Sequence, residues 1–468
     1  MKNKLLVCLL IATTILLTFI ACGKNDKRAR EELTEEQKKH YSYIQEDDLG
    51  CYEFRILCRP GMIEDQYVEK QTGDIIADAV LTRNMAVESL LNVRITAIES
   101  SDNKAADALN SILAGDDQYD IILPHSRTAF QYAIQDALVN YNEVGTLNLD
   151  AEWWSQDIVD SANINNYLYV LDGDVQTHRL EYGFAMYFNK RIFDELGLDY
   201  PYQMALDGEW TFDEFSKLVK QGSKDLNGDG ILKPDDDQFG YYTWPTFGPI
   251  EVLYSGGQRV YAKNTKGIPT LSINSPKTVE IFSKYFSLCN TEDVFLKKTS
   301  VNVKEDLFNA GRAMFADKGL GSARSMRNMA DDFGILPWPK FTKEDNYNTV
   351  INGHASLVCM PVTVEDPELS GQVLEALCAV GHHEVIPAFY EVSLKTKFAR
   401  DMESEAMIDI IKDSLIYDLG YISGNTIQGT GEMLANMSNP DFASYYASNE
   451  SRALNDLNEF LRSYAKIK

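Results

Sequence analysis

The sequence predicts an α/β protein with two domains. Three observations carry the expectation. Strand-like and helix-like patterns alternate through the first third of the chain, longer helical stretches with scattered short strands follow residue 150, and 468 residues exceed what one hydrophobic core ordinarily serves. Residues 53–57 (EFRIL) read as a strand, 75–91 as an amphipathic helix, and 93–98 as a second strand. Residues 105–114 read as a helix stopped by Gly115, 119–123 (YDIIL) as a largely apolar strand, and 127–140 as a further helix. Strands separated by helices at this spacing imply a mostly parallel sheet covered on both faces. Beyond residue 150, short strands are expected at 167–171, 184–188, 239–242, 312–315, 333–336 and 356–360, and helices dominate from Pro367 onward. The pattern places a second α/β domain inside the first, with several chain crossings between them. Ligands of such folds sit at the carboxyl ends of strands and in clefts between domains.

The amino terminus is different in kind. Two lysines, Lys2 and Lys4, precede an apolar run at residues 5–20, the pattern of a signal peptide, expected over residues 1–21. The run is shorter than the roughly 20 apolar residues that a membrane-spanning helix needs. It ends at Ala21-Cys22-Gly23, which resembles a bacterial lipobox, with Phe19 where leucine is usual. That resemblance implies lipidation of Cys22 and attachment to a membrane surface, with simple secretion as the alternative. Residues 22–48 are then a charged tether with almost no apolar side chains.

The formal charge of −26 disfavours nucleic acid and anionic lipid as partners. Cys51, Cys58, Cys289, Cys359 and Cys378 form an odd, scattered set without a C-x-x-C pair, which argues against a disulfide framework or a zinc site. Cys51 and Cys58 either close a small loop or remain thiols. No P-loop, GxSxG or HExxH motif is present.

Several local patterns, in order, resemble the family 1 extracellular solute-binding proteins of ABC transporters, the group that includes maltose-binding protein. They are AGDDQYDIILPHSRTAFQYA at 114–133, YFNK followed by ELGLD within 186–199, and FGYYTWPTFGPIEVLYSGG at 239–257. GRAMFADKG at 311–319, FGILPWPK at 333–340 and SLVCMPVT at 356–363 continue the series. The resemblance runs from about Tyr52 to about Tyr464. It implies a two-lobed periplasmic-binding-protein-like fold of type II, each lobe a mixed sheet flanked by helices, joined by a multi-segment hinge. Residues 49–172 and 357–395 would form lobe I, and 173–356 and 396–468 lobe II, with a third crossing near 392–398.

The same resemblance implies an exported receptor on the outer face of the cytoplasmic membrane. It would be monomeric, catalyse nothing, use no organic cofactor, and hand a sugar to membrane permease subunits. A neutral sugar offers hydroxyls and an apolar ring face, so its binder needs multi-donor polar groups and flat aromatic surfaces. By resemblance Tyr241 matches a sugar-stacking tyrosine, and Trp244 lies in the same YYTWP stretch, where it either meets the ligand or packs the floor of lobe II. His125, Ser126 and Arg127 follow an apolar strand at its carboxyl end, where side chains can face the cleft; Arg127 could instead cap a helix or pair with a surface acid. The family's usual tryptophan before them is absent, with Pro124 near its place. Tyr182, Asp317 and Trp338 complete the candidates, while Trp153 and Trp154 are expected to pack a helix.

The sharpest local motif is DLNGDGILKPDD at 225–236. Calcium loops supply oxygens from spaced positions around a glycine turn. Here Asp225, Asn227, Asp229, the Ile231 carbonyl and Asp236 take those positions, with Gly230 at the turn and aspartate in place of the final bidentate glutamate. The expected role is structural. Three rival readings stand beside the sugar receptor. One is a binder of another solute, such as a peptide, a polyol or an anionic oligosaccharide; for an acidic sugar Arg127, Arg179 and Arg324 would be the cations. The second is an extracellular glycoside hydrolase, and the third a surface adhesin or sensor that binds its target without lobe closure.

Overall fold

A computed structural model of the protein describes residues 33–244, 246–296, 305–390, 401–423 and 441–467. The expected signal peptide, Cys22 and the third crossing near 392–398 lie outside these residues. β1 (Tyr52–Cys58) runs parallel to β2 (Val93–Glu99) on one side and to β3 (Ile121–Ile122) on the other. The helix Ile75–Leu91 joins β1 to β2. Asp74 caps it by accepting from the backbone N–H groups of Ile76 and Ala77, and Asn92 stops it in the left-handed region at φ 50°. Helix Pro367–Pro387, from the far end of the chain, packs on Ile75–Leu91.

The expected strands at 167–171 and 356–360 are present only as isolated bridges, Ile122 with Cys359 and Leu171 with Val358. At both places the chain is leaving or entering the first sheet, so the ladder does not propagate. The helix expected over 127–140 is shorter, Ser126–Ile134, because Asp136 turns into the left-handed region at φ 55° and Val139 then donates to the Met360 carbonyl at 2.8 Å. The pull of a sheet edge overrides the helical pattern.

The second sheet contains β4 (Phe184–Asn189) and β5 (Phe239–Thr243). A hairpin of β6 (Tyr261–Lys263) and β7 (Pro269–Leu271) stands apart from it. β8 (Val294–Leu296), β9 (Ala313–Gly319) and β10 (Phe333–Leu336) complete the order β10-β4-β9-β5-β8. β4 is antiparallel to both β9 and β10, whereas β5 is parallel to β8 and β9, which makes the sheet mixed. Its core is aromatic: Phe215 meets Phe315 at 5.2 Å and Tyr241 at 5.1 Å between ring centroids. Trp210 is fully buried and donates its Nε1 hydrogen to the Pro337 carbonyl at 2.9 Å. Each such buried ring contributes about 1.5–3 kcal/mol by leaving water.

The two sheets are joined by chain segments that lie side by side. Leu171 bridges to Val358 at the first sheet, and Gly183 bridges to Ile351 at the second. β11 (Thr349–Val350), just before that crossing, pairs in parallel with β12 (Leu415–Ile416). Buried polar groups tie the crossings together: Tyr417 donates to Asp172 at 2.8 Å, Arg179 to Asp174 at 2.7 Å, and Gln176 to the Ser356 carbonyl at 2.8 Å. The C-terminal helix Phe442–Tyr464 touches both sides. Phe442 lies 5.0 Å from Phe282, while Tyr464 lies 5.0 Å from Tyr169.

Trp153 and Trp154 donate to the two carboxylate oxygens of Glu375 and so pack a helix, as expected. Cys51 is disulfide-bonded, but not to Cys58, which is a free, buried thiol; neither of the two states expected for that pair is found. Among the described residues no helix is long and apolar enough to cross a membrane.

Candidate functional site

The lobe I side is built at the carboxyl ends of β1 and β3. After β3 the chain turns at Pro124, and His125 caps the helix Ser126–Ile134, its Nδ1 accepting from the Arg127 N–H at 3.3 Å. The cap fixes the ring as an acceptor toward the helix. Burial, helped by His354, Arg59, Arg127 and Lys104, pushes the His125 pKa down to about 3, so the imidazole is neutral. Its ring meets His354 edge to face at 4.8 Å. Ser126 is fully buried and donates to the carbonyls of Gly353 and Ile422, which stitches this helix to the crossing segment and to the chain returning past β12. Arg127 points the same way: Gly353 lies against its guanidinium, and its buried Nε has no hydrogen-bond partner. Arg59, at the end of β1, donates to the carbonyls of Asn103 and His354 and lies beside the Tyr182 hydroxyl.

The lobe II side is built at the carboxyl ends of β5 and β9, which run parallel. Register sets Tyr242 beside Ala316, so Thr243 falls next to Asp317, and the threonine hydroxyl donates to Asp317 Oδ2 at 2.7 Å. Tyr241, expected to present its ring to a ligand, is instead wholly enclosed, edge-on to Phe215 and 6.4 Å from Trp338. Trp338 is 2% exposed, with an Nε1 hydrogen that meets no acceptor. Trp244 and Phe247 are half-buried, with ring centroids 6.3 Å apart.

Sequence reasoning missed Glu251. It lies on the short helix Gly248–Ser255, is 2% exposed, and neither carboxylate oxygen has a partner. Burial, with Asp317 nearby, raises its pKa well above the ordinary carboxylate range. Asp317 is likewise pushed up by burial, to about 7. The signal for Glu251 was a lone acid inside an otherwise apolar stretch, GPIEVLYSGG. Arg59 could have been found by the rule that named His125, since it too follows the carboxyl end of a strand.

Tyr421 is buried on the short helix Leu419–Ile422, whose Ile422 carbonyl accepts from Ser126; burial pushes its hydroxyl up to about 12, with Gly353 and Arg127 acting against the rise and Glu251 adding to it. His125, Ser126 and Arg127 thus stand on the first-sheet side, Tyr182 on the segment that joins the sheets, beside Arg59, and Tyr241, Asp317 and Trp338 inside the second, with Trp244 half-buried at the end of β5. The other cations considered for an acidic ligand are matched by acids: Arg179 binds Asp174, and Arg324 lies 3.6 Å from Glu181. A cavity of about 180 Å³ lies beside the junction, between the helix Gln156–Ala162, the β6–β7 hairpin and Tyr417–Leu419; none of the sequence-predicted residues lines it.

The loop at 225–236 folds on itself. Asp225 accepts from the N–H groups of Gly228 and Gly230, Asn227 from Asp229, and Asp229 from Ile231 while pairing with Lys233. The acid enclosed at the end of the loop is Asp237, which accepts from Leu226 and Lys233, rather than Asp236. Among the described residues no three His, Cys, Asp or Glu side chains converge in a metal-holding group.

No family model matches the chain, and no curated protein matches it in sequence. Solved structures do match in fold. An ABC substrate-binding protein of Listeria monocytogenes, in complex with cycloalternan, is 15% identical, with 89% of this chain and 99% of that one covered at a TM-score of 0.53. The maltose-maltodextrin binding protein of Alicyclobacillus acidocaldarius is 12% identical over 87% and 99% of the two chains, at 0.51. UgpB of Mycobacterium tuberculosis, in complex with glycerophosphocholine, is 14% identical over 87% and 98%, at 0.57. The chain thus has the two-lobed α/β fold of ABC-transporter solute-binding proteins of the maltose-binding type.

Proposed function

We propose that the protein is an extracellular solute-binding protein of an ABC importer that captures a carbohydrate between its two lobes by hinge closure. One observation supports the reading. Polar side chains named from sequence, Ser126 after β3 and Asp317 on β9 beside Thr243, lie at the carboxyl ends of strands in the two sheets, where this architecture holds its ligands. Arg127 Nε and Trp338 Nε1 are donors in want of acceptors, and Trp244 and Phe247 offer ring faces, which is the mixture that a sugar's hydroxyls and apolar face require. The sugars bound by proteins of the same fold support it.

The finer parts of the reading are Cys22 lipidation, hence attachment to the outer face of the cytoplasmic membrane, an oligosaccharide as cargo, a monomeric receptor, and permease subunits as partners. Calcium at Asp225, Asn227, Asp229 and Asp236 belongs with them; it would displace Lys233 from Asp229 and hold the loop by its oxygens. A non-sugar solute is the second reading, favoured by the glycerophosphocholine complex of one protein of this fold. The test is a thermal-shift screen against mono- and oligosaccharides, repeated with Arg127→Ala and Trp244→Ala. A glycan at about 100 times its Kd adds roughly 2.7 kcal/mol to the wild type. Loss of the shift in both variants, one from each lobe, is the expected result; a glycan shift untouched by either variant places the ligand elsewhere.

A further inference from the structure

The acceptors and donors left unmatched at the junction specify the ligand more narrowly than its being a sugar. Three carboxylate oxygens, both of Glu251 and Oδ1 of Asp317, are enclosed without a hydrogen bond of good geometry, in residues that are each 2% exposed. Thr243 satisfies only the fourth. Independent of these acids, the Trp338 Nε1 hydrogen is buried on the same side and also lacks a partner, while the Tyr241 hydroxyl lies beside Thr243 and Asp317. Buried carboxylates ordinarily occur paired with a cation or fully hydrogen-bonded, because isolating their charge from water costs several kcal/mol each.

Among the described residues no cation is seen to meet that need. Burial is the main cause that raises the Glu251 pKa, and the charged group that adds to it is Asp317, another acid. The cation nearest Asp317 is Lys318, which is taken up by Asp306 at 2.7 Å. Arg127 reaches Tyr421 from the opposite lobe without bearing on Glu251. Hydroxyl groups alone would supply hydrogen bonds yet leave both acids without a counter-charge, so burial would keep favouring their protonated forms. An ammonium group supplies three donors and cancels charge. The rings of Tyr241 and Trp338, 6.4 Å apart, add negative faces that favour a cation.

Resting on the carbohydrate-binding reading, we propose that the ligand is an aminated sugar or amino-polyol whose cationic nitrogen is received by Glu251 and Asp317. Its remaining hydroxyl oxygens accept from Trp338, and its other end faces Arg127 and Tyr182 across the junction. A neighbouring amide would not serve, since acetylation of the nitrogen removes both the charge and two of its donors.

The experiment is calorimetric titration of the protein with glucosamine oligomers, the matching N-acetylglucosamine oligomers and neutral glucose oligomers, each of two to four units. The expected result is one-to-one binding of a glucosamine oligomer at least tenfold tighter than its acetylated counterpart, an advantage of the size that a buried charged hydrogen bond supplies. Glu251→Gln, nearly the same in shape, removes that preference; Asp317→Asn is the second variant, should the first not fold. Tighter binding of acetylated or neutral oligomers overturns the proposal and leaves carbohydrate binding standing. A preference for the amine that survives both variants also overturns it, since attraction to the acidic surface would then explain the binding. Silence with all three classes overturns the proposal together with the carbohydrate reading.

Discussion

Replacing Asp317 by asparagine should stabilise the protein, and increasingly so as pH rises. The carboxyl group is wholly enclosed, and its one good hydrogen bond comes from Thr243, which asparagine can still accept. Burial lifts its pKa from 3.8 to about 7. The folded state therefore binds the proton more tightly than the unfolded chain, and ionisation works against folding as pH rises from about 4 to 7. A displacement of that size corresponds to about 4 kcal/mol once the pH exceeds 7, an upper bound on what the enclosed charge costs. Relative to wild type, Asp317→Asn should gain more stability at pH 8 than at pH 5, by about 3 kcal/mol on the same linkage. Urea unfolding followed by tryptophan fluorescence at the two pH values measures the difference. Equal gains at both, or a loss at pH 8, would refute the claim that this carboxyl is buried without compensation.

Three further predictions concern other parts of the molecule. Gly240→Ala places a methyl group 1.8 Å from the Val219 carbonyl oxygen, where the helix Phe212–Gly222 rests on β5, and should cost about 3 kcal/mol or more in urea unfolding; a change below about 1 kcal/mol would contradict the close approach. His382 has its pKa raised by the Asp174 carboxylate at 2.6 Å, so its contribution is fully present below about pH 6.5 and fades as pH rises through the folded value. His382→Gln should accordingly lower the melting temperature more at pH 6 than at pH 9, and a loss that grows with pH would reverse the sign. Millimolar calcium should raise the melting temperature of the wild type but not of Asp225→Ala, with chelator undoing the rise; a calcium shift retained in the variant would move the ion elsewhere.

Much of the framework was legible because local pattern and tertiary context agreed. The helix at Ile75–Leu91 begins at a capping aspartate and ends at Asn92, both visible in the chain, and β1, β2, β4, β5, β9 and β10 all fall on the apolar runs that predicted them. The errors fall where context decides. The chain at 356–360 carries a strand's composition, yet it is divided among single bridges to β3, to Leu171 and to the helix cap at His125. Helix 127–140 stops early for a backbone contact with Met360 that no local pattern encodes.

The sequence places the YYTWP stretch and residues 125–127 at the ends of strands, and they do lie at the end of β5 and just after β3, but orientation was not legible. Which face of β5 looks inward depends on pairing with β9, and that register sends Tyr241 into the aromatic core beside Phe215 while Thr243 reaches Asp317. Glu251 escaped notice because its importance lies in what does not surround it. Absence of a counter-charge is a property of the folded neighbourhood alone.

The account's central claim is that a carbohydrate is held between the lobes and left chemically intact. Small-angle X-ray scattering of the protein, with and without the glycan that gives the largest thermal shift, tests it most directly when the glycan is afterwards recovered and sized. The account predicts a smaller radius of gyration with glycan than without it, reversal on dialysis, and a glycan of unchanged length. An unchanged radius at saturation would contradict closure, and a shortened glycan would replace the receptor with a hydrolase.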